Sequence, residues 1–435
     1  MIRLDFPGIT QEQFADAFAV LEECKVPHLP TLGFAYPFMG PGGQYGHCWW
    51  ERDTALALSG YKWLDQDFCE KCLENFSLVQ KENGRIPLYG YDKVLDYDEE
   101  LSAIPLLFEA AYRVCRRTTD DEYIARIYRM LCRYMEWWLS PVKRDAGTGL
   151  VCGIFEETDP CDFHDQHTAA EVDLNVQLCV GADVLSHMAD RLGFTDEAAA
   201  HRRTFDDLRA RVNRYLYDPE TGLYHTWLVK EDRRMTERVY NSAFDVFKRR
   251  IVPADRVPRL LAALKDDSLF GWNSRWGLTT MAKNSPEYVE TVGVYQGHPS
   301  WKGNIWTQRN EIITTGLAES GLDAEAAHLA LQTVRTFNGN YAEFVSPSTG
   351  MGHGVERYGW SASQYVELLI EVIFGVDYDA WNDRLTVTPH IDPSLYGETV
   401  SIRNLSLGHG RYAHIRIECG ETSSVSCRVT DCEEN

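Results

Sequence analysis

The chain has 435 residues, of which 44% are hydrophobic and 25% are charged, the composition of an ordinary soluble globular protein. Its 43 basic and 65 acidic residues give a net charge of −22, which would repel nucleic acids and anionic membrane surfaces and favours a neutral substrate. No apolar run approaches the roughly 18 residues of a membrane span, so we expect none.

The N-terminal segment and the cysteines indicate a cytoplasmic location. Residues 1–18 become acidic and helical at once, without the basic start and apolar region of a signal peptide. The twelve cysteines are scattered, so we expect buried thiols in a reducing compartment and not a disulfide framework. Cys69 and Cys72 have no matching second pair, and because structural zinc needs four ligands we expect no metal there.

Helical periodicity dominates the first 375 residues, where the pattern predicts about eleven or twelve helices. Thr10 and Gln13 resemble a capping box at the start of the first. Apolar residues at 3-4 spacing predict further helices around 124–138, 174–192, 205–215, 306–317 and 331–337. Gly193 and Gly321 follow two of them, as expected for helix C-termini.

A weak internal repeat favours a circular arrangement of these helices. Residues 145–151, 218–224 and 346–351 share a Thr-Gly-apolar pattern that follows a helix. A turn of this kind arises easily by chance once. Three instances predict a repeated helix-hairpin unit.

The pattern changes to period two after Gly375. Segments that begin at Arg384, Val400 and Tyr412 alternate apolar and polar residues and are separated by Gly and Pro turns. We therefore predict two parts: residues 1–375, mainly α, and residues 376–435, a small antiparallel β element packed on the helices.

Four segments combine aromatic residues with polar side chains on non-helical backbone, and the first is 36–53. Trp49 and Trp50 could stack on a sugar ring while Arg52 and Asp53 hydrogen-bond its hydroxyl groups. The glycines of this segment lack the pattern of a phosphate loop. The alternative is a buried tryptophan pair at a helix start, with Asp53 as the cap.

The second segment, 155–167, carries five carboxylates between Phe155 and Asp165. One of these acids could be kept protonated by its neighbours and by burial, as a general acid requires. A metal site at Asp162, His164, Asp165 and His167 is an alternative, although the spacing fits no standard ligand pattern. A solvated acidic loop is the other alternative.

The third segment, 295–306, is a polar and aromatic loop that enters a helix. Trp301, Lys302 and Trp306 can line a pocket. A hydrophobic staple at a helix N-terminus would use similar residues.

The fourth segment, 340–363, contains Glu343 between Tyr341 and Phe344, followed by a Gly-rich turn and Trp360. Sugar chemistry requires aromatic faces for stacking and a carboxylate that activates water or attacks the anomeric carbon. A lone Glu on a loop is usually only solvated, but its aromatic neighbours favour a chemical role.

Taken in order, the four segments resemble the signature blocks of glycoside hydrolase families 37 and 63. This trehalase and processing α-glucosidase group also includes bacterial mannosylglycerate and glucosylglycerate hydrolases. The similar blocks are 50–55, 157–175, 276–283, 300–306 and 343–362, and the last matches most closely.

The resemblance implies an (α/α)6 barrel, a toroid of six helical hairpins, and an inverting glycosidase that cleaves a small α-linked glycoside. Asp162, or in second place Asp159, would protonate the leaving oxygen while Glu343 draws a proton from the attacking water. The side chains expected to bind the sugar are Trp49, Trp50, Arg52, Asp53, Trp301, Lys302, Trp306 and Trp360. No cofactor or metal is implied.

Two departures from the family pattern affect the site. The family acid usually follows Ser-Gly-x, whereas residues 158–161 differ here, so Asp162 and Asp159 compete for the role. Lys302 stands where an Arg is usual, which replaces a bidentate fork by a point charge and predicts altered hydroxyl recognition.

Three other functions remain open from the residues alone. A sugar epimerase would use histidines such as His298 or His353 as acid and base, and a phosphorylase would need a phosphate pocket beside Glu343. A toroid that binds carbohydrate without catalysis is the third possibility. The partner in every case is a small carbohydrate.

Overall fold

The computed structural model describes residues 2–27, 29–46, 48–91, 94–95, 101–292 and 298–433. In this part of the chain helices predominate and the β-sheets are small, as the sequence predicts. The α-helices are α1 (Gln11–Glu23), α2 (Glu51–Tyr61), α3 (Gln66–Val79), α4 (Leu107–Cys115), α5 (Asp121–Trp138), α6 (Val172–Arg191), α7 (Thr195–Arg211), α8 (Val257–Leu264), α9 (Thr307–Glu319), α10 (Asp323–Phe337) and α11 (Gly359–Glu367). None of the described helices combines the length and apolar character that a membrane crossing requires.

Short strands lie between the helices, and longer ones follow them. The short strands are β1 (Arg3–Asp5), β2 (Lys25–Val26), β3 (Phe38–Met39), β4 (Trp49–Trp50), β5 (Tyr89–Tyr91), β6 (Val94–Leu95), β7 (Ala169–Ala170), β8 (Trp227–Leu228), β9 (Arg233–Arg234), β10 (Phe344–Val345) and β11 (Gly352–His353). The C-terminal strands are β12 (Val376–Asp379), β13 (Arg384–Val387), β14 (Thr399–Gly408), β15 (Arg411–Glu418) and β16 (Ser424–Thr430).

The helices differ in how completely they are buried. Every residue of α2 and of α11 is buried, and most of α6 and α9 is too. Helices α5 and α7 instead bury one face and expose the other, as their periodicity predicts. The predicted capping box of α1 is present: Thr10 Oγ1 accepts from Gln13 N–H at 3.2 Å, and Gln13 Oε1 accepts from Thr10 N–H at 3.0 Å. The buried helices therefore form an interior that the amphipathic ones surround.

Helices α2 and α11 lie side by side. The Gly60 N–H on α2 donates to Ser363 Oγ on α11 at 2.7 Å, and that hydroxyl also donates to backbone carbonyls of α2. A side chain at position 60 would collide with the backbone of Ser363. Glycine therefore permits a close helix contact between segments about 300 residues apart.

The three Thr-Gly turns have the same hydrogen bonds. In each, the glycine N–H donates to the carbonyl of the first residue, at 2.8, 2.8 and 2.9 Å for Gly149, Gly222 and Gly350. The first side chain, that of Asp145, Asp218 or Ser346, accepts from the threonine N–H at 2.7, 2.9 and 3.1 Å. The three glycines have φ of 71, 78 and 73°, which an L side chain adopts only with strain. The three repeated segments therefore share one local turn geometry.

The C-terminal strands form the β element that the alternating pattern predicts. Antiparallel strands in the order β1-β14-β15-β16 make a four-stranded sheet, and β12 pairs with β13. Hydrogen bonds from Trp381 Nε1 to the Cys115 carbonyl, at 2.8 Å, and from Arg117 to the Ser406 carbonyl, at 2.8 Å, attach it to the end of α4. Because β1 comes from the N-terminus, this sheet also joins the two ends of the chain; the division at residue 375 stays a prediction.

Candidate active site

Residues at the N-terminal ends of α2, α9 and α11 enclose a cavity of about 100 Å³. Trp50, Trp306 and Tyr358 precede the first residues of these three helices. The cavity is lined by Pro41, Tyr45, Trp50, Arg52, Asp53, Glu156, Trp301, Trp306, Glu343, Tyr358 and Trp360. It is smaller than the roughly 300–1,000 Å³ of a typical pocket for a drug-sized ligand, so it suits a compact one. Aromatic faces and three carboxylates dominate its wall.

Glu343 is buried in this wall with its carboxylate held at both oxygens. Oε1 accepts from the Tyr45 hydroxyl at 3.2 Å, and Oε2 accepts from the Val355 N–H at 3.0 Å. Burial raises the pKa of Glu343 to about 7; the hydrogen bonds oppose this rise, and the nearby carboxylates of Asp53 and Glu156 add to it. A carboxylate with a pKa near neutrality can take up or release a proton at physiological pH.

The Gly-rich turn after Glu343 shapes the space for this carboxylate. Strands β10 and β11 pair, with Phe344 opposite His353. Gly354 has φ of 74°, and a Cβ at that position would lie 2.5 Å from Glu343 Oε2. The glycine is therefore required both by the backbone conformation and by the approach of the carboxylate.

Asp53 is the second buried carboxylate of the cavity. It accepts a hydrogen bond of 2.5 Å from the Tyr358 hydroxyl. Burial raises the pKa of Asp53 to about 6, although Arg52 and the tyrosine oppose the rise. Tyr358 and Tyr45 thus place hydroxyl groups beside the two acids.

Arg52 connects the cavity to the acidic loop 155–167. Its guanidinium binds Glu156 and donates to Asp159 at 3.1 Å, and it lies 5.4 Å from the ring centres of both Trp301 and Trp360. Glu156 faces the cavity, whereas Asp159 does not line it. One side chain therefore links the tryptophans to two acids of the loop.

Asp159 is held from a second side by residues of α9. Gln308 donates to both of its oxygens, at 3.0 and 3.1 Å, and Arg309 donates to Oδ2 at 2.8 Å. With Arg52, two guanidinium groups contact this carboxylate. Both oxygens of Asp159 are thus occupied by donors from the protein.

Asp162, the first choice for the acid, also lies outside the cavity wall. It is bound by the Tyr240 hydroxyl, by Arg238 at 3.3 Å and by Lys302 at 3.3 Å. Lys302 in turn binds Glu287 and does not line the cavity either. The structure thus places Asp162 and Lys302, both predicted site residues, in a separate ion-pair network with Arg238 and Glu287.

The predicted tryptophans divide between the cavity and the core. Trp50 stacks on Tyr89 with ring centres 4.7 Å apart, and Trp301 stacks on Trp306 at 3.9 Å. Trp360 completes the aromatic wall. Trp49 is fully buried and packs edge-on against Phe34 at 5.4 Å and Phe76 at 5.6 Å. Its position is that of a core residue, the alternative that the sequence left open.

Three of the polar residues that line the cavity, Glu156, Tyr45 and Tyr358, were not predicted from the sequence. Glu156 lies within the acidic loop, but the family resemblance assigned the acid role to Asp162 or Asp159. Tyr45 and Tyr358 occur inside the first and fourth segments, where an aromatic residue with a hydroxyl group was a usable signal. An epimerase would use His298 or His353 as acid and base. His353 does not line the cavity, and the His298 side chain lies outside the described residues.

Among the described residues, Cys132, Glu197 and His201 are the group whose potential metal-ligand atoms all lie within 4.8 Å of one another. They join α5 to α7. Arg129 already binds Glu197 at 2.6 and 3.1 Å, and Tyr128 donates to it at 2.7 Å. The carboxylate charge is thus compensated by the protein itself. The proposed alternative at 162–167 does not form such a group.

Comparisons with known proteins agree with the motifs. Residues 155–361 match the model of the mannosylglycerate hydrolase MGH1-like glycoside hydrolase domain. A mannosylglycerate hydrolase of Rubrobacter radiotolerans is 31% identical over 72 residues, 16% of each chain. That of Thermus thermophilus is 26% identical over 149 residues, 34% of this chain and 33% of the relative. The chain spans about half the length, or less, of the curated relatives it matches.

The fold has a counterpart among solved structures. A family 63 mannosylglycerate hydrolase of Thermus thermophilus, in complex with glucose, superposes with a TM-score of 0.69 and 17% identity, over 82% of this chain and 99% of the other. This likeness shows a shared fold, and the family model and the two curated relatives confirm the resemblance to the mannosylglycerate hydrolase group.

Proposed function

Because residues 155–361 match a glycoside hydrolase domain, we propose that this protein is an inverting glycosidase that hydrolyses a small α-linked glycoside. The compact, aromatic cavity with its buried carboxylates is the observation that carries the proposal. Stacking on the tryptophans would hold the apolar face of one sugar ring. The small volume favours a disaccharide or a glycoside of a small alcohol over a polysaccharide.

We further propose that the helices form the (α/α)6 barrel of this group. The contact of α2 with α11, the complete burial of these two helices and the three equivalent turns support a closed ring of helical hairpins. In such a ring the N-terminal ends of α2, α9 and α11 would meet around one opening, where the cavity lies.

Glu343 is the proposed general base. Its carboxylate is buried, fixed by two hydrogen bonds and close to neutral in pKa, which is the combination that proton abstraction from water needs at physiological pH. Asp53, Tyr45 and Tyr358 would orient the water and the sugar hydroxyl groups.

Glu156 is the proposed general acid, in place of Asp162 and Asp159. It belongs to the same loop as those aspartates, but it is the carboxylate of that loop that lines the cavity with Glu343. Asp159 and Asp162 each contact two cationic side chains, and neither lines the cavity. Glu156 contacts one, Arg52.

The anomeric configuration of the released sugar tests the inverting mechanism. The purified protein is incubated with α-glucosides, α-mannosides and glycosyl-glycerates, and proton NMR follows the first anomer that appears. Release of the β-anomer first from an α-glycoside supports the proposal. Release of the α-anomer first would rule out the inverting mechanism.

Three variants test the residue roles. Glu343→Gln and Glu156→Gln should each lower kcat on an unactivated glycoside by about 10²–10⁴-fold. An aryl glycoside with an acidic phenol needs no protonation on departure, so it should restore activity to Glu156→Gln and not to Glu343→Gln. Asp162→Asn is the matched control and should keep most of its activity; loss of activity there, with Glu156→Gln active, would return the acid role to Asp162.

A further inference from the structure

The charges in the cavity wall are unequal. Asp53, Glu156 and Glu343 contribute three carboxylates, and Arg52 is the one cation among the described residues that line the cavity. The rest of the wall is aromatic side chains and a proline. A ligand that enters this space therefore meets a surplus of negative charge in a site of low polarity, where charges interact strongly.

Arg52 does not offset this surplus for a ligand. Its guanidinium is shared between Glu156 and Asp159 and is enclosed by two tryptophan rings. A carboxylate of the substrate would have to compete with both protein acids for the same donors. An arginine that binds a ligand carboxylate usually presents its fork free for bidentate contact.

Two described cations that do not line the cavity, Lys302 and Arg309, are committed in the same way. Lys302 binds Glu287 and Asp162, and Arg309 binds Asp245, Asp159 and the side chain of Asn241. Each of these positive charges is thus paired with at least one protein carboxylate. Neither is arranged as a receptor for an incoming anion.

We propose that this site selects glycosides whose aglycone is uncharged, a polyol such as glycerol, and discriminates against aglycones that carry a carboxylate. The inference rests on the proposed glycosidase function and narrows its substrate class. It separates this chain from the relatives named for mannosylglycerate, whose aglycone is a hydroxy acid. A neutral polyol can donate hydrogen bonds to the wall carboxylates and to the hydroxyl oxygens of Tyr45 and Tyr358, whose own protons are donated to Glu343 and Asp53.

The test compares substrates that differ only in this charge. The α-glucosyl and α-mannosyl derivatives of glycerol are measured against those of glycerate, in which a carboxylate replaces one hydroxymethyl group. We expect kcat/KM for the preferred sugar to be at least about tenfold higher with glycerol than with glycerate at low ionic strength, because like charges repel in the cavity. Equal or faster hydrolysis of the glycerate compound overturns the inference.

Binding separates this inference from the proposed activity. If none of the four compounds is hydrolysed, the glycosidase proposal fails, but calorimetric titration of the same compounds still reads the charge preference. Binding of a glycerol glycoside at least about tenfold tighter than its glycerate counterpart supports the inference. Comparable affinities, tighter binding of the glycerate, or no binding of either overturn it.

A charge-removing variant strengthens the comparison. Asp53→Asn lowers the negative charge of the wall by one, because Asp53 lines the cavity and is not the proposed acid, so the ratio of the two dissociation constants should move toward glycerate by about threefold or more. Asp383→Asn is the control: Asp383 is an exposed residue paired with Arg411 at 2.6 Å, and its removal changes the net charge equally without touching the cavity. An equal effect of both variants would show that the wall does not discriminate.

Discussion

Replacing Glu51 by glutamine should stabilise the protein, and the gain should grow with pH. Glu51 begins α2 directly before Arg52 and is fully buried. Among the described residues neither of its carboxylate oxygens has a hydrogen-bond partner. Burial raises the pKa of Glu51 from 4.5 to about 8, Arg52 opposes the rise, and Asp53 adds to it. The side chain is therefore an uncharged acid in the folded protein at neutral pH.

The sign and size of the effect follow from the two pKa values. Between pH 4.5 and 8 the unfolded chain releases the Glu51 proton while the folded chain keeps it, so the free energy of unfolding decreases as the pH rises. With these values the loss is about 1 kcal/mol at pH 5 and about 3 kcal/mol at pH 7. Glutamine has the same shape and never ionises, so the variant should regain these amounts.

Urea unfolding at pH 5, 6, 7 and 8 measures the difference directly. Glu157→Gln is the matched control, because Glu157 is equally buried but accepts from Lys143 Nζ at 2.5 and 2.7 Å. Its replacement leaves a buried ammonium unpaired and should cost about 3–5 kcal/mol. A Glu51→Gln protein that is less stable than the parent, or a difference that does not change with pH, would refute the reasoning about burial.

Three further outcomes follow from the structure. Because Glu343 with its pKa of about 7 must be ionised to act as a base, kcat/KM should fall about tenfold per pH unit below pH 7; a profile flat to pH 5 would contradict that role. Gly354→Ala places a methyl group against the Glu343 carboxylate, so activity should drop at least about tenfold while the far-UV circular dichroism stays unchanged. Gly60→Ala should lower the free energy of unfolding by about 1–3 kcal/mol, because its methyl group meets the Ser363 backbone. Gly147→Ala is the control and should change stability little, because the nearest atom to its methyl group is a side-chain oxygen at 3.4 Å.

Much of the fold was predictable because it depends on neighbouring residues. The capping box at Thr10, the period-two strands after Gly375 and the three Thr-Gly turns depend on contacts within a few positions. Strand β1 was not predicted, because three residues are too few to show a period, and their partner β14 lies about 400 residues later. Pairing over such a distance is decided by the packing of the whole chain.

The candidate site divides in the same way. The aromatic neighbours of Glu343 identified it from the sequence, and the structure places it in the cavity wall. Trp49 and Trp50 are adjacent and chemically identical, yet they point to opposite sides of β4, so that one enters the core and the other the cavity. No property of the residue types distinguishes them.

The sequence by itself determined a helix-rich chain and singled out Glu343, which the structure places in the cavity wall. Only the tertiary structure decided which acid of the loop 155–167 faces that site. The backbone there is left-handed at Phe155 and Cys161, with φ of 48 and 51°, and Arg309 on α9 binds Asp159. Side-chain directions and cations from distant parts of the chain therefore decide that Glu156 faces the cavity. The order of the acids along the chain does not decide it.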